Sequence, residues 1–353
     1  MNTIIQKLEP KYFLEEAKNR VILDVRSPAE FEKGHIPGAH CFPLFSDEER
    51  AQVGTLYTKS GREAAFFVGL DIVGPNMSKF VKQALRLAPH KQVLIHCWRG
   101  GMRSASMAWL LQSAGFDVKL LSGGYKSYRA YIREAFNIPV KLLVLSGMTG
   151  CGKTEILLEM KKMGAQMIDL EGMANHKGSA FGHLGQKPQP STEQYENNLA
   201  SIWSSIDFSK PIWIEDESRN VGGVQIPESL YTSMTKSVVI RIDFPKSYRV
   251  KRLVAEYADI DDQAIALSLQ KIKDKLGNKN VQELMLLLSE QQYSIFVDNI
   301  LDYYDESYDY SLKKKPFSRV EKISPLRLNP KDQATEILDF ANDILNDVVE
   351  YER

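Results

Sequence analysis

The sequence predicts an α/β protein of two consecutive units, each built on a mostly parallel sheet, with the second trailing into helices. Three observations carry this expectation. Short β-branched apolar runs alternate with helix-like segments along the first 139 residues. The octapeptide GMTGCGKT at 147–154 stands between an apolar strand and a helix. From about Pro245 onward the apolar residues recur at helical spacing.

In chain order, VILDVR (21–26) and QVLIHC (92–97) read as buried strands, being short, β-branched and bounded by polar or turn residues. SASMAWLLQSAG (104–115) reads as a helix closed by Gly115, and FDVKLLSGG as the strand after it. NIPVKLLVLSG starts a new unit behind a proline, so the expected domains are 1–139 and 140–353. The second opens with that strand, the glycine loop and the helix KTEILLEMKKMG. IWIED (212–216) and SVVIRIDF (237–244) follow as further strands. Residues 245–353 are expected to be mainly helical, with VQELMLLLSEQQYSIFVDNILDYY the longest amphipathic stretch.

Hydrophobic residues make up 43% and charged residues 25%, which suits a chain that buries a core and excludes wholesale disorder. MNTIIQKLEP lacks a basic stretch leading into a long apolar one, and no window reaches the ~18 apolar residues a membrane span needs, so a cytoplasmic protein without membrane contact is expected. Cys41, Cys97 and Cys151 are an odd number without metal spacing, against a disulfide framework or structural zinc. The formal net charge is zero, so any polyanionic partner must meet a local patch. One such patch spans Arg86 to Arg133, where eight cations face one acid, Asp117. Within it Tyr125, Tyr128 and Tyr131 recur among Lys126, Arg129 and Arg133. Two readings stand: tyrosines packed on the core beneath solvated cations, or an RNA-binding stripe that meets phosphates and stacks on bases. Lys313 to Lys315 read as a solvated charge run, with tRNA contact as a minor alternative.

Cys97 follows a buried strand and precedes a helix, with Arg99, Gly100, Gly101 and Arg103 between them. A sulfur where backbone amides converge on a helix start, with two fixed cations nearby, suits nucleophilic chemistry on an oxyanion or a polarisable chalcogen. Cys41 and Cys151 read as packing residues.

GMTGCGKT fits the phosphate-cradling loop G-x-x-x-x-G-K-[ST] in its strand–loop–helix context. Gly147, Gly150 and Gly152 let amides point at phosphate oxygens, Lys153 reaches the terminal phosphate, and Thr154 is placed to hold Mg²⁺. A companion metal carboxylate is expected in IWIEDES, where Glu215 and Asp216 follow the apolar run most directly and Glu217 comes next. The long segment 169–191, rich in glycine and proline, reads as a mobile lid, with His176 and His183 as lesser candidates for contact with a leaving diphosphate.

LDVRSPAEFEKGHIPGAHCFPL (23–44) resembles the opening half of a rhodanese domain, and Cys97 falls where rhodaneses carry a persulfide. The fold class so implied is a rhodanese-like parallel-sheet domain followed by a P-loop NTPase-like α/β domain with a helical C-terminal part. Asp24, Arg26, Glu30, His35 and Gly38 lie in matching motifs and read as structural. The stretch from Cys97 to Arg103, Cys-x5-Arg, is longer than the usual sulfurtransferase loop and similar to that of rhodanese-type dual-specificity phosphatases. The loop alone therefore leaves chalcogen transfer and phosphate-ester hydrolysis open.

HCWRGGMRS, LSGGYKSYR, LSGMTGCGKT, DLEGMANHKGSAFG and EDESRNVGGVQIP together resemble the tRNA 2-selenouridine synthase family over essentially the full length. The resemblance implies replacement of sulfur by selenium at C2 of wobble 2-thiouridine in the tRNA anticodon region, through an S-geranylated intermediate, with geranyl diphosphate and selenophosphate as substrates. A selenophosphate-producing enzyme is then a transient partner. Cys97, Arg99 and Arg103 would handle selenophosphate, and the P-loop with Mg²⁺ would handle the diphosphate. The ten-carbon chain needs an apolar pocket, for which Phe181, Trp203 and Trp213 are guesses. The alternative is a rhodanese-type phosphatase or sulfurtransferase fused to a small-molecule P-loop kinase; a nucleotide-gated scaffold with an inert thiol is weaker still.

Overall fold

A computed structural model describes residues 5–257 and 260–351; the first four residues, where the leader reading begins, lie outside them. The chain divides into two compact units, 1–136 and 137–353, so the division falls just after the buried Phe136.

The first unit is a five-stranded, fully parallel sheet. Its strands are β1 (Gln6–Leu8), β2 (Val21–Asp24), β3 (His40–Cys41), β4 (Gln92–His96) and β5 (Asp117–Leu121), in the order β1-β5-β4-β2-β3. The apolar run of β4 is central, and Val93, Leu94 and Ile95 are wholly buried, as a strand covered on both faces requires. Helix Met102–Ser113 begins two residues earlier than its apolar pattern suggests and sends Met107, Ala108 and Leu111 into the core. Between β3 and β4 stand helices Asp47–Lys59 and Gly61–Val73. The first is started by a reciprocal cap, the Ser46 hydroxyl accepting from Glu49 N–H and the Glu49 carboxylate from Ser46 N–H at 2.7 Å.

The second unit carries a parallel sheet of five strands and a short hairpin. The strands are β6 (Leu142–Gly147), β7 (Gln166–Ile168), β8 (Ile212–Glu215), β9 (Asn220–Val221), β10 (Val224–Gln225), β11 (Val238–Ile242) and β12 (Arg319–Ile323). The sheet order is β12-β11-β6-β8-β7, while β9 and β10 pair antiparallel. β6 occupies the middle and is buried throughout. The C-terminal part is helical only in the main: β12 returns to pair with β11, and helix Pro330–Tyr351 packs Ala334, Ile337, Ala341 and Ile344 into the sheet core. RVEKI escapes pattern reading because an edge strand needs only one paired side and tolerates charge.

The stretch read as the longest amphipathic segment is two helices, Asn278–Ser289 and Tyr293–Lys314. Gln291 breaks it with a left-handed backbone, φ 55°. These helices and their neighbours enclose a second apolar cluster including Leu253, Leu269, Leu284, Phe296, Val297 and Leu301.

Candidate active sites in the two units

The cysteine loop leaves β4, leads into helix Met102–Ser113 and closes against the start of helix Gly124–Ala135, which follows β5. Tyr125 N–H donates to the Cys97 carbonyl at 2.8 Å and Lys126 N–H to that of Trp98 at 2.9 Å. This approach demands glycine at 124, where φ is +65° and a Cβ would stand 2.4 Å from the Cys97 carbonyl oxygen. Cys97 is 3% exposed, and its Sγ lies 3.2 Å from the Ser104 hydroxyl. Ser104 also donates to the Gly101 carbonyl at 3.1 Å. Arg103 is held from the side by Glu30, at 2.6 and 3.3 Å. Burial works against the Glu30 carboxylate, but the Arg103 guanidinium, Ser27 N–H and Arg50 outweigh it and keep its pKa below the ordinary value. Arg99 is exposed at the loop, so of the two arginines one is oriented by a partner and the other faces solvent.

Beneath the loop, Arg26 binds Asp24 at 2.5 to 3.0 Å, donates to the Gly34 carbonyl at 2.7 Å, and covers the Tyr125 ring at 3.8 Å. Asp24 and Arg26 are therefore buried scaffold. His96 is wholly buried and neither ring nitrogen has a hydrogen bond; Nδ1 is 3.7 Å from Asp24. Burial pulls its pKa down to about 4, against the opposing charge of Asp24.

The tyrosine stripe does not exist as a stacking surface. Tyr125 and Tyr128 are 0% and 2% exposed, and Arg129 is buried with them. Three residues on a helix fall about 60° short of a full turn, so Tyr131 sits roughly 120° from Tyr125 and alone of the three points outward. Lys126 and Arg133 stay exposed, as surface cations rather than a base-stacking array. Burying two phenol rings against Arg26 and the sheet is worth more than leaving them in water.

In the second unit the phosphate loop joins β6 to helix Lys153–Lys162. Gly150 and Gly152 both adopt φ +82°, and a Cβ on Gly152 would meet the Arg252 guanidinium at 3.0 Å. Arg252 comes from helix Lys246–Tyr257, bonds Glu155 at 2.8 and 2.9 Å, and lines the cleft over the loop. Its neighbour Arg249 donates to the Thr149 carbonyl at 3.2 Å and is fixed by Asp305 at 2.7 and 2.8 Å. Lys153 donates to the Gly147 carbonyl at 3.2 Å. Desolvation lowers its pKa, but Cys151, Glu171, Glu217 and Tyr308 more than offset this, so it remains a cation. Cys151 is buried packing, its thiol pushed up by desolvation.

The register of β6 with β8 sets Glu215 beside Leu145, at the foot of the loop. Thr154 Oγ1 lies 2.7 Å from Glu215 and 3.1 Å from Glu171, donating to one at a time. Asp216 is not brought to Thr154. In the lining of the cleft it forms an ion pair with Lys315, accepts from Ser146 at 2.5 Å and lies 3.4 Å from Tyr308, so its carboxylate is already partnered. Burial and the charge of Glu171 raise the Glu215 pKa to about 8, and they raise that of Glu217 as well. Thr154, Glu215 and Glu171 are thus hard oxygen donors whose mutual repulsion a divalent cation would relieve, which fits Mg²⁺. Among the described residues no group of three or more His, Cys, Asp or Glu forms a metal cage, and Mg²⁺ characteristically uses one or two carboxylates with substrate phosphates instead.

The cleft around these groups measures about 890 Å³. Beside it lies an apolar cavity of about 150 Å³. Thr149, Ser179, Leu253, Tyr257 and Tyr304 line both, so the cavity lies directly beside the phosphate loop. Val254, Ile265, Tyr293, Phe296, Val297 and Ile300 are among the residues that line only the cavity. Phe181 lines it too, whereas Trp203 is buried against Phe208 and Trp213 in the sheet core.

Segment 169–191 is a packed wall of the cleft rather than a free lid. Asp169 caps helix Leu170–Ala174, accepting from Gly172 N–H at 2.7 Å, and Phe181 and Leu184 are buried in the helical cluster. His176 lines the cleft; His183 stacks beside it and contacts Lys271 at 3.3 Å. Sequence reading missed Glu171 and Arg252, read Lys315 as solvated where it is paired with Asp216, and expected an apolar pocket of whose walls it named only Phe181. Glu171 follows the short strand β7 and the cap Asp169, a signal that the P-loop context could have supplied. Arg252, the Lys315 ion pair and the other walls of the cavity arise from tertiary packing.

Two family models match the chain: the Rhodanese-like domain over residues 9–131 and the tRNA 2-selenouridine synthase AAA domain over residues 140–324. Among curated proteins, the tRNA 2-selenouridine synthase of Shewanella frigidimarina is 35% identical over 335 residues, covering 84% of this chain and 90% of its own. That of Bdellovibrio bacteriovorus is 35% identical over 347 residues, with the same coverage. No helix among the described residues is long and apolar enough to cross a membrane.

Proposed function

Because the chain belongs to the tRNA 2-selenouridine synthase family, we propose that it converts 2-thiouridine in tRNA to 2-selenouridine in two steps, S-geranylation followed by replacement of the geranylated sulfur. The observation that carries the first step is the apolar cavity that shares walls with the phosphate cleft. A nucleoside needs polar partners for its base, whereas this cavity offers aliphatic and aromatic walls. An apolar cavity of 150 Å³ holds a molecule of benzene's size, so this one takes about six carbons of a prenyl chain, with the rest at the shared mouth.

In the first step the thiocarbonyl sulfur of the base attacks C1 of geranyl diphosphate, the C1–O bond breaks, and inorganic diphosphate leaves. The loop amides and Lys153 bind the diphosphate, and Arg252 stands over it as a further cation. Thr154 and Glu215 would hold Mg²⁺, which supplies Lewis-acid stabilisation of the leaving charge when bound. Packing of the prenyl chain against Leu253, Tyr257 and Phe296 excludes water from the reacting carbon.

In the second step selenophosphate occupies the cysteine loop. Arg103, oriented by Glu30, and solvent-facing Arg99 neutralise the anion, and Ser104 fixes the position of the Cys97 sulfur. Cys97 stands beside the bound anion and activates its selenium, which adds to C2 of the base; the C2–S bond breaks, geranyl thiol leaves, and water cleaves the P–Se bond to release phosphate, with no change of oxidation state.

Nucleoside mass spectrometry tests the scheme on a 2-thiouridine anticodon stem–loop incubated with the chain, geranyl diphosphate and Mg²⁺, with and without selenophosphate. S-geranyl nucleoside without selenophosphate and 2-selenouridine with it are the expected products. An unchanged nucleoside in both reactions overturns it.

A further inference from the structure

With the tyrosine stripe buried, the second unit presents another basic surface. Lys271, Lys273, Lys275 and Lys279 fall within nine residues, at the end of helix Asp262–Lys271, in the turn Lys273–Leu276 and at the start of helix Asn278–Ser289. All four are exposed, and Asp274 is the one acid among them. Ile272 and Leu276 between them are buried and fix the turn to the helical core. Lys271 and Lys275, four residues apart, line the phosphate cleft itself.

The contrast with the cleft's other peripheral cations is informative. Lys177 is paired with Glu256, Arg252 with Glu155 and Lys315 with Asp216. Among the described residues none of these four lysines has a carboxylate partner; Lys271 contacts only the His183 ring. Lysines left unpaired around a cleft, in a chain of zero net charge, leave a local positive field directed at whatever enters. The small substrate does not need them, because the loop amides and Lys153 already meet its diphosphate. What must still reach this cleft is a base carried on a polyanionic backbone.

We propose that Lys271 and Lys275 at the cleft, with the exposed Lys273 and Lys279 that neighbour them in sequence, form the surface on which the anticodon-loop phosphates dock when the wobble base enters the P-loop cleft. This inference rests on the reading that the base is geranylated in that cleft. Lysine suits the task, being a strongly hydrated point charge on a flexible stem that can follow a backbone without reading its sequence.

The test is fluorescence anisotropy of a 2-thiouridine anticodon stem–loop titrated with the full chain across a salt series. Its variants are Lys271→Ala/Lys275→Ala, Lys273→Ala/Lys279→Ala and the charge-retaining Lys271→Arg/Lys275→Arg. Loss of two phosphate contacts lowers the slope of log K against log salt by about 1.4 to 1.8 and weakens Kd by about tenfold near 0.1 M salt. The arginine pair should hold the wild-type slope. Calorimetric affinity for geranyl diphosphate without RNA should be unchanged in Lys273→Ala/Lys279→Ala, and in Lys271→Ala/Lys275→Ala, whose residues line the cleft, it should fall by less than the affinity for RNA. An unaltered slope in both alanine pairs overturns the proposal, as does a fall in geranyl diphosphate affinity matching the fall for RNA, which would assign the lysines to the small anion. Failure of the wild-type chain to bind the stem–loop overturns the tRNA reading beneath it.

Discussion

The Thr154 hydroxyl lies 2.7 Å from a Glu215 carboxylate oxygen, joining the first turn after the phosphate loop to the end of the adjacent strand. Asp216, the next residue, turns away to Lys315. The two acids should therefore fail differently. Glu215→Gln should raise the Mg²⁺ concentration for half-maximal geranyl transfer by about 10- to 100-fold, and chelation should abolish transfer reversibly. Asp216→Asn should leave the Mg²⁺ requirement alone and cost about 1 kcal/mol of stability, since it takes the charge partner from the half-buried Lys315. Mg²⁺ titration of geranyl transfer, beside urea unfolding of both variants, separates them.

Ser104 should matter to the second step and not to the first. Its hydroxyl lies against Cys97 Sγ, and the helix that carries it starts two residues earlier, at Met102. Removing one hydrogen bond to the reacting sulfur is worth about 0.5 to 1.5 kcal/mol, roughly 2- to 10-fold in rate. Single-turnover selenation of pre-geranylated RNA should slow by that factor in Ser104→Ala and recover largely in Ser104→Thr. Cys97→Ser should eliminate selenation and preserve geranylation. Equal loss of both steps in Ser104→Ala would place the serine in folding instead.

His96 should make the first unit acid-labile. Its pKa is pulled from about 6.5 in the unfolded chain to about 4 in the fold, so between those values the unfolded chain binds a proton that the folded one does not. Stability is therefore full above pH 6.5 and declines as pH falls toward 4, by about 2 kcal/mol at pH 5. Hydrogen exchange of the β4 amides at pH 7.5 and 5.0, corrected for intrinsic rates, should report that decline. His96→Gln should flatten it, whatever the substitution costs at pH 7.5.

Much of this architecture was legible because it depends on local pattern. The central strands announce themselves through β-branched runs, and the phosphate loop through glycines in a strand–loop–helix context. The tyrosine stripe misled because sequence spacing fixes which helix face a residue occupies, not which face meets the core: Lys126 and Tyr125 are neighbours, one in water and one wholly buried. Choosing Glu215 over Asp216 required the β6–β8 register and the position of Lys315, 99 residues further along the chain. The cavity was illegible for the same reason. Its walls come from the loop at Thr149, the segment at Phe181 and helices beyond Lys246, which no short window contains.

That cavity supports a prediction about chain length. Tyr293 lines it without lining the cleft, and its hydroxyl donates to Asp262 at 3.0 Å, so the ring is braced as a wall away from the shared mouth. Tyr293→Ala should open that wall and let a prenyl chain longer by one isoprene unit enter. In a competition between geranyl and farnesyl diphosphate, the variant should shift the ratio of S-farnesyl to S-geranyl product upward by about tenfold or more. Filling the cavity works in the opposite direction: Ile300→Trp should raise KM for geranyl diphosphate while inorganic diphosphate still inhibits at its wild-type concentration, because the loop amides and Lys153 are untouched. If Ile300→Trp leaves that KM unchanged, the chain does not lie in this cavity and the prenyl group must find another apolar surface; if only Tyr293→Ala is silent, the cavity holds the chain and another residue sets its length.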